Sequence, residues 1–153
     1  MRFLLTNDDG IGAPGIELLA EVAGQLGEVV VIAPDQPLSG CSHRVTVEKP
    51  LTIESRGTDC CSVNGTPADC VRIGLVEQRR QVDWVLSGVN AGANLGVDVY
   101  MSGTVGATRE AGLFHVPAIA LSLFMHHHGP FDWQTLAPML RRTLETLVDR
   151  KPP

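Results

Sequence analysis

Two adjacent acids, Asp8 and Asp9, are the residues best suited to chemistry in this sequence. They come one residue after the apolar run RFLLT, so a strand would carry both carboxylates at its tip. Two carboxylates about 4 Å apart repel by about 1 kcal/mol in water and about 4 kcal/mol at an effective dielectric of 20. A divalent cation removes this repulsion, and hard oxygen ligands suit Mg²⁺ or Mn²⁺. The pair therefore indicates a metal site; the alternative is a solvated acidic turn, because Asp-Gly is common turn chemistry.

Polar residues also follow other predicted strands. The run EVVVIA at 28–33 is continuously apolar, as a buried parallel strand should be, and Ser39 lies in the loop beyond it. Asn90 and Asn94 lie in a Gly- and Asn-rich loop, predicted to follow a strand at 82–87 and to end at residue 103. In open parallel sheets, ligands bind beyond the carboxyl ends of the strands. We therefore expect these loops to converge with the paired acids and to supply neutral oxygen ligands.

The segment Ser102-Gly103-Thr104 lies where the Gly- and Asn-rich loop meets a predicted helix at 104–113. Hydroxyl groups and free backbone N–H groups at a helix start make an anion site. Ordinary N-capping by Ser102 explains the same residues equally well. For Thr66, which precedes a predicted helix reaching about residue 76, capping is the preferred explanation, because an acid follows three residues later.

The histidines and cysteines give weaker signals. His43, close to Ser39, is a candidate for phosphate contact or proton transfer, although surface histidines are common. The histidine run at 126–128 favours a solvated loop over a zinc site, because three adjacent residues cannot all face one metal on a regular element. No C-x-x-C spacing exists, so reduced thiols are expected of the four cysteines, Cys41, Cys60, Cys61 and Cys70.

A dinucleotide site is the competing interpretation. Gly10, Gly12 and Gly15 fit G-x-G-x-x-G between a predicted strand and helix, and Asp35 lies about 20 residues beyond. The paired acids would then stand beside a pyrophosphate, where negative charge is unfavourable without a metal. Metal-free NAD binding therefore ranks second.

The remaining pattern alternates strands and helices, which favours an open α/β sheet. Pro14 suits the first turn of a helix that extends to about Leu26. The segment 45–53 is expected to be an extended excursion, 117–123 a strand, and 133–148 a helix bent near Pro138.

Composition places the chain among globular proteins. Its 153 residues fit one domain, 1–153, with 44% hydrophobic and 19% charged residues. No apolar run approaches the roughly 18 residues of a membrane helix, and the N-terminus is a poor signal peptide, so a cytoplasmic location is expected. The net charge of −5 and the lack of a basic stripe argue against a nucleic-acid polymer as ligand.

Five motifs in order resemble the SurE (survival protein E) family of 5'/3'-nucleotidases: TNDDG, APD followed by Ser39, GTPADCV, SGVNAGANLG and SGTVGA. The resemblance implies a three-layer α/β/α Rossmann-like fold with a mainly parallel open sheet. It also implies a metal-dependent phosphohydrolase that releases phosphate from nucleoside monophosphates, and assembly into homodimers or homotetramers.

The site residues that the resemblance implies fall into two groups. The metal ligands, for Mg²⁺ or Mn²⁺, are Asp8, Asp9, Ser39 and Asn90. The residues of the phosphate pocket are Asn94, Ser102, Gly103 and Thr104, with His43 as a further candidate. Asp8 and Asp9 are also the catalytic candidates, and whether one of them acts as a base or as a nucleophile is left open.

The sequence departs from the family pattern in three places and in length. Ala93 stands where proline is usual, Gln36-Pro37-Leu38 lacks a basic residue before the serine, and Cys41-Ser42-His43-Arg44 replaces the usual Gly-His-Ser wording. Family members continue past residue 153, so a missing C-terminal part is expected. A nucleotide-binding module without turnover is therefore a second alternative.

Overall fold

A mainly parallel sheet organises the chain, which a computed structural model describes over residues 1–77, 81–125 and 130–150. The strands of these residues form one sheet in the order β3-β4-β2-β1-β5-β6. Their bounds are β1 (Arg2–Thr6), β2 (Glu28–Pro34), β3 (Ile53–Gly57), β4 (Cys60–Val63), β5 (Trp84–Ala91) and β6 (Ala118–Leu123). β3 runs antiparallel to β4, and the other neighbouring strands pair in parallel.

Helices cover both faces of the sheet. The α-helices of the described residues are α1 (Pro14–Gly24), α2 (Pro67–Arg72), α3 (Asp98–Met101), α4 (Gly103–Leu113) and α5 (Ala137–Val148), and the short α3 buries no residue. Successive side chains of a strand point to opposite faces. Phe3 and Leu5 of β1 therefore pack with residues of α1 and α5, whereas Leu4 packs with residues of α2 and α4. The three-layer α/β/α arrangement is confirmed.

β5 is longer than predicted. The segment after residue 87 was expected to be a loop, but the strand continues to Ala91, and Asn90 pairs with Ser122 of β6. The pairing register shifts between Ser87 and Asn90. Irregularities of this kind re-aim side chains at the ends of strands. Asn90 is therefore positioned by the sheet rather than by a free loop.

Several other elements begin or end at residues other than the predicted ones. The segment 45–52 has no regular structure, and its extended character begins only with β3. Thr66 caps α2 as predicted, because its Oγ1 accepts a hydrogen bond from the Asp69 N–H at 3.2 Å. α2 ends at Arg72 and is followed by a π-helical turn, Ile73–Glu77. The predicted helix at 133–148 starts as a 3-10 turn and becomes α-helical at Ala137.

None of the described helices has the length and apolar character needed to cross a membrane. The histidine run at 126–128 lies outside the described residues.

Candidate active site

The carboxylate of Asp8 is fixed just beyond β1 by the first turn of α4. Asp8 is 6% exposed, and its Oδ1 accepts a hydrogen bond of 2.6 Å from the fully buried Thr104 Oγ1. The N-terminal end of a helix carries a positive partial charge, which stabilises a nearby carboxylate. Within the described residues, Oδ2 of Asp8 receives no hydrogen bond. One oxygen of the acid is therefore held by protein and the other is left for a ligand.

Gly103 allows the start of α4 to pack directly against the side chains of Asp8 and Cys41. A Cβ at residue 103 would lie 2.5 Å from Cys41 Sγ and 2.9 Å from Asp8 Cβ, nearer than real Cβ atoms approach. Ser102 caps the helix, since its Oγ accepts a hydrogen bond from the Val105 N–H at 3.1 Å. The sequence Ser102-Gly103-Thr104 thus supplies a cap, a close approach and a hydrogen-bond donor to Asp8.

Gly103→Ala is expected to destabilise the protein. The added methyl group meets the Asp8 side chain and the Cys41 sulfur, and overpacking of this kind costs about 1–3 kcal/mol. Gly112→Ala on the same helix is the matched control, because no atom lies within 4 Å of its added Cβ. Thermal denaturation of both variants tests this expectation. A Gly103→Ala variant as stable as Gly112→Ala would show that the close approach is not needed.

Asp9 is held from the other side, by β5. Its Oδ2 accepts a hydrogen bond from the Ala91 N–H at 3.0 Å. Burial raises the pKa of Asp9 above 3.8, the Ala91 hydrogen bond lowers it, and the charge of Asp8 raises it. The neighbouring Asn90 donates through Nδ2 to the Gly92 carbonyl at 2.9 Å, and its Oδ1 accepts no hydrogen bond from the residues that the structure describes. The paired acids are therefore fixed by different elements while remaining electrostatically unfavourable together.

The loop after β2 is hydrogen-bonded to the backbone of Asp8. The Leu38 N–H donates to the backbone carbonyl of Asp8 at 2.8 Å, which positions the next residue, Ser39. Ser39 is exposed, and its hydroxyl makes no hydrogen bond within the described residues. The Leu38 hydrogen bond thus tethers the loop that carries this predicted ligand to the end of β1.

Cys41 is a site residue that sequence reasoning missed. Its sulfur and the Asp8 side chain both pack against Gly103. Burial raises the pKa of the Cys41 thiol, and the charge of Asp8 raises it further. The available signal was its position two residues after Ser39. The four cysteines of the chain are free thiols.

Two of the predicted phosphate ligands have other partners. Asn94 donates through Nδ2 to Ser122 Oγ at 2.7 Å. Nε2 of His43 lies 2.6 Å from Oε2 of Glu110, and because a carboxylate only accepts, the imidazole N–H donates. Glu110 follows Gly103 by seven residues, about 10 Å along the helix axis. The structure therefore ties His43 to the middle of α4, and the phosphate contacts of His43 and Asn94 stay predictions.

Comparison with known proteins decides the family. The family model described as Survival protein SurE matches residues 3–152, almost the whole chain. The chain belongs to the SurE family. The resemblance carried by the five sequence motifs is thereby confirmed.

Individual SurE relatives agree with this assignment. A protein of Geotalea daltonii named 5'-nucleotidase SurE is 48% identical over 130 residues, 84% of this chain and 52% of that protein. The 5'-nucleotidase SurE of Nitrosococcus oceani is 44% identical over 150 residues, 97% of this chain and 59% of that protein. The crystal structure of the SurE protein from Aquifex aeolicus matches with a TM-score of 0.91 and 39% identity, covering 100% of this chain and 62% of that one. In each case the chain spans less than two thirds of its relative.

Side-chain oxygens at this edge of the SurE sheet fit a hard divalent cation. They belong to Asp8, Asp9, Ser39 and Asn90. In the described ranges, no group of three or more His, Cys, Asp or Glu residues could hold a metal ion. A cation here would therefore need neutral oxygen ligands beside the two carboxylates, and Ser39 and Asn90 offer them. Carboxylate, amide and hydroxyl oxygens favour Mg²⁺ or Mn²⁺ over zinc.

Two of the three glycines of the dinucleotide motif have packing explanations in this SurE chain. Gly10 has a positive φ of 96°, and a Cβ there would lie 3.3 Å from the Gln36 backbone. Gly15 lies inside α1, and its added Cβ would lie 2.0 Å from the carbonyl oxygen of Val89. Neither position needs a pyrophosphate to account for glycine, whereas a Cβ at Gly12 would meet no atom within 4 Å. The dinucleotide interpretation is therefore weakened at two of its three glycines.

Proposed function

We propose that this chain hydrolyses nucleoside monophosphates with Mg²⁺ or Mn²⁺ and releases phosphate from the 5' position; release from the 3' position is a further activity that the family resemblance implies. The proposed metal ligands are Asp8, Asp9, Ser39 and Asn90. The proposal is supported by similarity to proteins named 5'-nucleotidase SurE. The observation that carries it is that separate donors hold the two acids, Thr104 for Asp8 and the Ala91 N–H for Asp9, while further side-chain oxygens receive no hydrogen bond from the described part of the chain.

The residues have distinct tasks in this proposal. A bound divalent cation supplies positive charge at the ester and makes water a stronger nucleophile near neutral pH. Thr104 keeps the Asp8 carboxylate in one orientation, and the Ala91 N–H does the same for Asp9. The first turn of α4 brings its positive end to the same place, where it favours the negative phosphate group. The chain thereby positions charge before the substrate arrives, which is the main means of stabilising a phosphoryl-transfer transition state.

Phosphate release from AMP, GMP and 3'-AMP, with and without added Mn²⁺, tests the proposal. We expect release in Mn²⁺ and none after dialysis against EDTA, with recovery when Mn²⁺ is restored. Undiminished hydrolysis in EDTA would falsify the metal-dependent mechanism.

A nucleotide-binding module without turnover is the second candidate. It needs the same site for the phosphate group but no hydrolytic step. Calorimetric binding of AMP together with no phosphate release over a long incubation would support this candidate. Steady release of phosphate from bound AMP would rule it out.

A further inference from the structure

Glu110 is a buried acid whose partners come from two other parts of the chain. Its side chain is 1% exposed, yet both carboxylate oxygens are bonded. Oε1 accepts from Arg72 of α2, and Oε2 accepts from Nε2 of His43 at 2.6 Å. A buried carboxylate is costly unless it is paired and hydrogen-bonded, so His43 and Arg72 together make this position tolerable.

His43 belongs to a loop, residues 39–46, that lies along α4. The neighbouring Ser42 donates through its N–H to the Met101 carbonyl at 2.9 Å and through Oγ to the Tyr100 carbonyl at 2.6 Å. The backbone also touches the helix directly, since a Cβ at Gly106 would lie 2.3 Å from the Ser42 oxygen. The bond to Glu110 is thus the side-chain attachment of this loop to α4 itself.

The same helix carries the contact with Asp8. Thr104 bonds the acid at the start of α4, and Glu110 bonds the loop nearly two turns later. The exposed Ser39 has no hydrogen bond of its own in the described part of the chain, so its position depends on the flanking attachments. α4 therefore supports both the paired acids and the loop with the predicted serine ligand, while the far end of this loop is bonded to Thr66 and Asp69 at the start of α2.

We propose that His43 and Glu110 are positioning residues, which hold the 39–46 loop on α4 and so keep Ser39 within reach of the metal proposed above. The inference rests on the proposed function for its consequence at the metal. The attachment itself concerns only the loop and α4. Arg72 separates this role from general stability, because it bonds the same carboxylate from α2 and holds no part of the loop.

Reactivity of Cys41 tests the attachment without metal or substrate. Cys41 lies in the same loop and is half-buried against Gly103. His43→Phe, which keeps the ring but has no donor, is expected to raise the rate of Cys41 alkylation by iodoacetamide in EDTA about tenfold or more, because a lost hydrogen bond to a buried charge favours local opening. Ser42→Ala should act in the same direction. Arg72→Gln, the control, should leave the rate near the wild-type value while lowering thermal stability.

Mass spectrometry of each cysteine peptide measures the rates, with Cys60 and Cys61 as internal references. An unchanged Cys41 rate in His43→Phe, or an equal increase in Arg72→Gln, overturns the positioning role.

Mn²⁺ affinity, measured by electron paramagnetic resonance, tests the consequence. We expect His43→Phe to bind Mn²⁺ about tenfold more weakly than Arg72→Gln, as for other residues that orient metal ligands. Equal affinities of the two variants would overturn the link to Ser39. A wild-type chain that binds no Mn²⁺ would instead overturn the proposed function, and the alkylation result would still decide the role of His43.

Discussion

Asp9→Asn is expected to abolish phosphate release while making the metal-free protein more stable at neutral pH. Loss of a carboxylate ligand removes a charge stabilisation worth several kcal/mol, so the rate should fall by about a thousandfold or more. Asp9 also repels Asp8, and relief of that repulsion is worth about 1 kcal/mol. For a domain of this size, that corresponds to a melting temperature about 2–4 °C higher.

The stability gain should depend on pH in a defined direction. Burial and the charge of Asp8 raise the pKa of Asp9 above 3.8. The folded protein therefore binds this proton more tightly than the unfolded chain, so ionised Asp9 lowers stability at pH values above its raised pKa. The advantage of Asp9→Asn should be full at pH 7 and should disappear as the pH falls through that pKa. Thermal melts in EDTA between pH 3.5 and pH 7, about the range set by the ordinary and raised carboxyl pKa values, measure it.

Asp98→Asn is the matched control, because it removes the same charge from an exposed position on α3. It should retain both activity and the stabilisation by Mn²⁺, which amounts to about 2.7 kcal/mol at a hundred times the dissociation constant. Asp9→Asn should show no such stabilisation. If Asp9→Asn hydrolyses AMP at the wild-type rate, Asp9 has no role as a metal ligand.

Thr104→Val is expected to weaken metal binding and turnover by about 10- to 100-fold. The substitution keeps the shape of a fully buried side chain but removes the 2.6 Å hydrogen bond to Asp8 Oδ1. The carboxylate then loses the donor that fixes its orientation. Mn²⁺ affinity and kcat for AMP should fall together, and Thr104→Ser, which keeps the hydroxyl, should restore both.

Thr108→Val provides the matched comparison on the same helix. Thr108 Oγ1 donates to the Val105 carbonyl at 2.8 Å, a bond within α4 that does not reach the site. Its loss should leave Mn²⁺ affinity unchanged. Equal effects of the two valine variants would assign the result to helix stability instead of to Asp8.

The fold could be predicted where local pattern and packing agree. β1, α1 and β2 follow from apolar runs bounded by Pro14 and by polar turns, and the structure has all three. β3 could not be found in this way, because all five of its residues are exposed and no apolar alternation marks them. The extension of β5 was hidden by Gly88 and Asn90, which are typical of loops. Asn90 is held here by pairing with β6, and Gly88 lies against the Leu121 carbonyl of that strand.

The candidate site, too, could be predicted from the sequence only in part. Because the carboxyl ends of parallel strands meet at one edge, the sequence predicts that the paired acids and the Ser39 loop lie together. The hydrogen bond from Thr104 to Asp8 joins residues 96 positions apart, and no local pattern indicates it. The pairing of His43 with Glu110 spans 67 positions and is equally invisible before the helix and the loop are seen together.

The most direct measurement of the central claim is an anomalous difference map from crystals of the chain soaked in Mn²⁺. We expect one peak within about 2.0–2.3 Å of a carboxylate oxygen of both Asp8 and Asp9, the range for hard divalent cations bound by oxygen. The same soak of Asp9→Asn crystals should give no peak there. A wild-type map without density beside the two acids, or an undiminished peak in the variant, would contradict the metal site on which the proposed hydrolysis depends.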